Sequence, residues 1–372
     1  MDFSHIVQFP AANEHESYNL IKNKIQPEWE TVLINQADKL KRLAESKTNK
    51  PVYVVGGEMG SYPLHQTWNG LYFEDMIEIG KQINIILITS SANCRQEWDQ
   101  KCRTLGITNT IKDYIFIPWC LHYIKKFYTD GFKITKDCNK LFVYLNRRLS
   151  PNKIMLRHFL ERKNLLQHAH SSWLDEDNFL PFMQDTFKPK WDLMKRVALD
   201  DDAGGEMSTL PQPWYDDAYI DIVSETYNDG ETVDLSEKTF KPMLRGKPSL
   251  QYNAYGHYHT LEQLGFKLLD EMFDYYKVEH PDRTKRLEGI ADNLERLSQL
   301  SSYDMNRLID AVTPKLIHNR ELVLSYGYPQ VPKEVQYLLD YNLMPVDMYS
   351  NWKYRDYYFG QKKTIDRDLI KL

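Results

Sequence analysis

The sequence predicts an α/β protein with two α/β halves in series and a helical C-terminal region, and three observations carry that prediction. Short apolar or β-branched runs alternate with stretches of helical character over the first 140 residues. A second series of the same kind begins at KLFVYLN (Lys140–Asn146). From about Asp270 to Ser325 the pattern is helical. Strands alternating with helices imply βαβ units and a mostly parallel sheet. Uniformly apolar strands are expected where both faces of such a sheet are covered.

In the first half, HIVQFP, TVLIN, PVYVVGG, INIILITSS and DYIFIPW read as strands, with helices over ADKLKRLAESK, FEDMIEIGKQ and CRQEWDQKCRTLG. In the second half, Ser150 and Pro151 mark a helix start, a hydroxyl cap followed by proline at the first helical position. The acidic, Gly- and Pro-containing stretch Asp200–Asp217 reads as a loop, and AYIDIVSET (Ala218–Thr226) alternates like a strand. A short helix over SEKTFKPMLR follows, capped by Ser236 and interrupted by Pro242, with Gly246 at its left-handed end. PSLQY leaves as a strand, and a helix around TLEQL stops at Gly265. The expected domains are residues 1–139, 140–330 and a tail, 331–372, that packs back on the first.

The 372 residues are 42% hydrophobic with a net charge of −5, enough for two packed domains and too little charge for disorder. No run of 18 apolar residues suggests a membrane span, and MDFSHIVQFP lacks the basic and apolar regions of a secretory signal. Cys94, Cys102, Cys120 and Cys138 have no CxxC spacing, so reduced thiols in a cytoplasmic protein are expected. His168 with His170, and His257 with His259, are x-spaced pairs that would point one way on a strand, but no third metal ligand accompanies them.

Two motifs carry chemistry. LNRRLSP sets Arg147 and Arg148 after a strand and before a capped helix. Ligands of open α/β sheets bind there, and guanidinium groups suit phosphate; solvated or ion-paired arginines are the alternative. In SEKTFKP, Lys238 and Lys241 lie at a helix start whose N–H groups and dipole suit an anion. Glu237 would repel a plain phosphate, but it suits a ligand with a vicinal diol beside its diphosphate, as in nucleotide sugars. Neither GxGxxG after a strand nor GxxxxGK[ST] is present.

SEKTFKP, followed by GKP, a strand and a LEQLGF helix, resembles the donor-binding segment of GT-B glycosyltransferases common in phages and large viruses. It is also similar to the TEK-type motif of fucosyltransferase-like families. LNRR upstream and the strand ending VSET fit the same pattern, so the resemblance covers roughly Lys140 to Arg286. PSLQYNAYGHYH departs from it in being polar and aromatic where relatives are apolar.

The resemblance implies two Rossmann-like domains of GT-B type, the second holding a nucleotide sugar, a UDP-sugar first among donors. Glu237 would hold the ribose, Lys238 with Arg147 or Arg148 the diphosphate, and Lys241 and Glu225 would line the cleft. Such enzymes work without a bound metal or cofactor, and an inverting one takes a general base from the first domain. Glu58 is the first candidate for it and His15 the second.

Two basic stretches with interleaved aromatics, His122–Lys140 and Asn351–Lys363, are plausible nucleic-acid contacts. In the second, Trp352, Tyr354 and Tyr358 equally suit a tail packed on the first domain. Since the resemblance points to viral relatives, the acceptor expected first is a hydroxymethylated pyrimidine in phage DNA, in the host cytoplasm. A glycan or protein acceptor is the alternative. A non-catalytic nucleotide- or DNA-binding protein is the competing class.

Overall fold

The apolar runs become two separate parallel sheets in the computed structural model, which describes residues 6–8, 37–55, 73–89, 91–118, 121, 131–146, 151–173, 212–225, 233, 235–327 and 333. The chain divides into two compact units, Met1–Trp119 with Gly327–Leu372, and Cys120–Tyr326.

The first unit carries β1 (Ile6–Gln8), α1 (residues 37–45), β2 (Val52–Val55), α2 (Phe73–Gly80), β3 (Ile85–Thr89), α3 (Cys94–Leu105) and β4 (Asp113–Phe116). Its strands are all parallel and lie in the order β1-β2-β3-β4. TVLIN lies outside the described residues. The core explains the helices. Leu40 and Ala44 of α1, Phe73 and Ile77 of α2, and Trp98 and Cys102 of α3 recur at helical spacing and are buried with Val52, Val54, Ile85 and Leu87. Trp98 is fully buried, its ring 4.8 Å from that of Phe73. Cys94 and Cys102 serve as small apolar residues here, and burial pushes the Cys94 thiol up to about 12.

The second unit carries β5 (Lys140–Asn146), α4 (Pro151–Arg162), β6 (Ala169–Trp173), α5 (Gln212–Asp216), β7 (Ala218–Ser224), α6 (Glu237–Arg245) and β8 (Ser249–Tyr252). Then follow α7 (His257–Gln263), α8 (Tyr275–Val278), α9 (Arg283–Ser298) and α10 (Ser302–Ser325). The sheet is parallel, ordered β6-β5-β7-β8. The chain steps from β5 to β6 on one side, then returns past β5 to β7 and β8 on the other. That reversal between β5 and β7 is a topological switch point, the place where open α/β sheets accept ligands at their carboxyl ends. The described strands of the first unit run in sequence order and have no such reversal.

Strand alternation divides the second sheet's side chains between two layers. Tyr144 on β5 donates to the Lys153 carbonyl of α4 at 2.9 Å, so even-numbered β5 residues face α4. Gln251 on β8 meets Thr239 of α6 at 3.0 Å, so its side of the sheet faces α6. Helix α9 joins α4, and α10 packs on α6. Residues 131–139 belong to this unit. The Lys133 N–H donates to the Arg245 carbonyl at 3.1 Å, and Asn306 of α10 donates to Asp137 at 2.7 Å.

Two expectations change. The C-terminal part of the expected loop is helix α5. Its proline sits in the first turn, where no intrahelical N–H bond is lost, and Tyr215 packs inward at 1% exposure. His257 and His259 lie on α7 rather than on a strand, so their side chains diverge instead of pointing one way.

Candidate functional site

The start of α6 is built as its residues dictate. Ser236 is the N-cap, in extended conformation, and its Oγ accepts the Lys238 N–H at 3.2 Å. Gly246 ends the helix at φ +71°, its N–H bonded to the Met243 carbonyl, while the Lys247 N–H returns to Pro242. Pro242 is accommodated inside the helix, on its buried side. A Cβ on Gly246 would lie 2.7 Å from the Phe132 ring, so close approach as well as the left-handed angle calls for glycine.

This helix start meets the carboxyl end of β7. Ser236 Oγ lies 2.7 and 2.6 Å from the two carboxylate oxygens of Glu225, the residue after the strand. Thr239 Oγ1 lies 2.9 Å from the same carboxylate and 3.0 Å from Gln251 Oε1. The Lys238 ammonium caps the group, 3.2 Å from Glu237 and 3.7 Å from Glu225. Glu225 is buried at 4% side-chain exposure, whereas Lys238, at 28%, is the exposed pole.

Burial works against the charge of Glu237, but Lys238 and Lys241 outweigh it, and the carboxyl is held at about 2. It is therefore an ionised acceptor at any physiological pH. The N–H donors of the helix start are already engaged: Lys238 to Ser236 Oγ, Thr239 to the Ser236 carbonyl, and Glu237 to its own carboxylate. The open helix-dipole anion site suggested by the sequence is thus filled from within, and the exposed positive group is the lysine.

Beneath this layer lies a second ionic group. Asp221, on β7, is buried and accepts from Tyr215 Oη at 3.1 Å; burial pushes its carboxyl up to about 7. Lys247 is 2% exposed, donates to Thr135 Oγ1 at 2.8 Å and to the Ala218 carbonyl, and lies over the Tyr215 ring at 5.1 Å. Burial lowers its pKa to about 8.

Of the residues singled out in the sequence, Glu225, Glu237, Lys238 and Lys241 come together, the last through its charge on Glu237 and Asp221. Arg147, Arg148, Glu58 and His15 lie outside the described residues, as do Trp352, Tyr354 and Tyr358. Sequence reasoning missed Thr239 and Gln251 as the floor of the site, and Asp221 with Lys247 below it. The signal for Thr239 was its position three residues after the cap, one turn along the same helix face. Nothing local marked Lys247, whose partners lie 112 and 29 residues away.

Among the described residues no group of three His, Cys, Asp or Glu side chains is placed to hold a metal ion. Nor is any described helix long and apolar enough to cross a membrane. No family model matches the chain, and no curated protein sequence is significantly similar to it.

Proposed function

We propose that the carboxyl edge of the second sheet binds the nucleotide part of a nucleotide sugar, and that the chain is a metal-independent glycosyltransferase of the GT-B type. The supporting observation is the Glu237–Lys238 pair, 3.2 Å apart, at a helix start beside the switch-point strand β7. Glu237, ionised, accepts from the two ribose hydroxyls. Lys238, the exposed member, turns to the diphosphate, joined by Arg147 and Arg148. Glu225 holds Ser236 and with it the helix start, a positioning role, and Lys241 keeps Glu237 ionised. The cations stabilise the charge that develops on the departing diphosphate, and Glu58 or His15 is the base expected from the first unit.

The acceptor is proposed only as a hydroxyl-bearing molecule. In the described part of the first basic–aromatic stretch, Lys133 and Lys136 pair with Asp216 and Asp310 at 3.2 and 2.5 Å, and Phe132 lies under Arg320. These contacts give no preference for DNA over a glycan or protein.

Thermal shift against UDP, dTDP, GDP, CDP and ADP tests the donor assignment. A ligand at 100 times its Kd stabilises by about 2.7 kcal/mol. At least one diphosphate should stabilise the wild type and shift Lys238→Ala and Glu237→Ala far less. Absence of any shift in the wild type overturns the proposal.

A further inference from the structure

On the opposite face of the same sheet edge, several buried polar atoms have no hydrogen-bond partner among the described residues: both amide atoms of Asn152, Ser224 Oγ and Arg286 Nε. Asn152 is 1% exposed, Ser224 4% and Arg286 5%. Leaving such groups unpaired is costly, and native structures do so at few places.

These atoms belong to one layer. Strand alternation sends Ser224 toward the α4 and α9 side, opposite to Asp221 and Gln251. Ser224 pairs in register with Tyr252, the last residue of β8, and the β5–β7 register that sets Val143 against Asp221 brings Asn146 level with it. Asn152 is the second residue of α4, which packs against β7. Arg286, in the first turns of α9, interacts electrostatically with Tyr252, and its NH1 is engaged by the His280 and Pro281 carbonyls. Helix α9 packs on both α4 and β8. The unpaired atoms therefore belong to the layer that covers this face of the sheet, with Ser224 at the carboxyl end of β7 and Asn152 and Arg286 in the first turns of α4 and α9.

Their chemistry is specific. The Asn152 amide offers one acceptor beside donors, and Ser224 and Arg286 add further donors, with no carboxylate among them. A donor–acceptor–donor set complements an imide edge, in which one N–H lies between two carbonyls. Uracil and thymine present that edge; cytosine and adenine do not.

We propose that Asn152, Ser224 and Arg286 form a base-reading subsite for an imide nucleobase. The proposal rests on the nucleotide reading above and deepens it. Asn152 Oδ1 accepts from the base N3–H, its Nδ2 donates to one carbonyl, and Ser224 or Arg286 donates to the other.

Calorimetric titration of the full chain with UDP, N3-methyl-UDP and CDP tests this. The wild type should bind UDP about 10- to 100-fold more tightly than N3-methyl-UDP, the range of a lost bidentate contact. Asn152→Leu, close in volume and apolar, should abolish that preference. Ser224→Ala, which removes one hydroxyl, should narrow it severalfold and serves if the first variant does not fold. Equal binding of UDP and N3-methyl-UDP by the wild type, or a preference that survives both substitutions, overturns the subsite while leaving nucleotide binding intact. Unchanged UDP affinity with a raised melting temperature in Asn152→Leu would mean that these atoms meet only water. If the wild type binds none of the three, the subsite falls, and the nucleotide reading falls with it only when dTDP, GDP and ADP also fail to stabilise the chain.

Discussion

Ser236 Oγ sits 2.7 and 2.6 Å from the two oxygens of the Glu225 carboxylate while accepting the Lys238 N–H, so one hydroxyl joins the end of β7 to the start of α6. Its single proton goes to the carboxylate and its lone pairs serve the lysine, which leaves no capacity unused. Ser236→Ala removes the cap and leaves a buried carboxylate short of a donor. The two losses together should destabilise the chain by about 2–3 kcal/mol. Urea denaturation measures this, and a loss below about 0.5 kcal/mol would show that the contact does not hold the helix start.

Glu237 makes a prediction in acid. Its folded pKa is about 2 against an ordinary 4.5. Between those values the native state binds fewer protons than the unfolded chain, so stability rises with pH. The contribution is present above pH 4.5 and lost as pH falls toward 2. Glu237→Gln should therefore be less stable at pH 7 and should show a shallower decline between pH 4.5 and 2. Parallel limbs in the two proteins would mean that Lys238 and Lys241 do not act on this carboxyl.

Much of this local architecture was legible beforehand because it depends on neighbours in sequence. The Ser236 cap, Pro242 within the helix and the left-handed Gly246 each follow from one residue's backbone preferences. The HYH pair is weighed in extended geometry because the polar, aromatic stretch hides the turn at Gly256, φ +95°, from which α7 starts. The helix start was expected to be open, but Ser236 and Glu237 engage its N–H groups, and Glu225, eleven residues earlier at the end of β7, holds Ser236 in place. Pairing across such a separation depends on strand order, which local pattern does not encode.

Cys94 offers a test of the first unit's core. It is 1% exposed, and burial pushes its thiol up to about 12. The thiolate is the reactive form, so iodoacetamide at pH 8 should leave Cys94 unmodified in the folded protein and label it in urea. Peptide mass spectrometry distinguishes the sites, and rapid native labelling of Cys94 would contradict the packing around Trp98.

Asp221 and Lys247 predict an unusual pH profile. The Asp221 carboxyl, ordinarily at 3.8, titrates near 7 when folded, so between those values the native state holds the extra proton and stability falls as pH rises. Lys247, ordinarily at 10.5, titrates near 8 when folded, so between 8 and 10.5 the unfolded chain holds more protons and stability rises with pH. The two contributions leave a minimum between pH 7 and 8. Asp221→Asn keeps a partner for Tyr215 Oη and should flatten the fall from pH 4 to 7. Lys247→Met should flatten the rise above pH 8, and it also removes the bond to Thr135 that ties residues 131–139 to the second sheet. Melting temperatures from pH 4 to 10 for the three proteins decide the matter. A wild-type profile with its maximum at pH 7–8, unchanged in both variants, would show that neither buried group changes charge in that range.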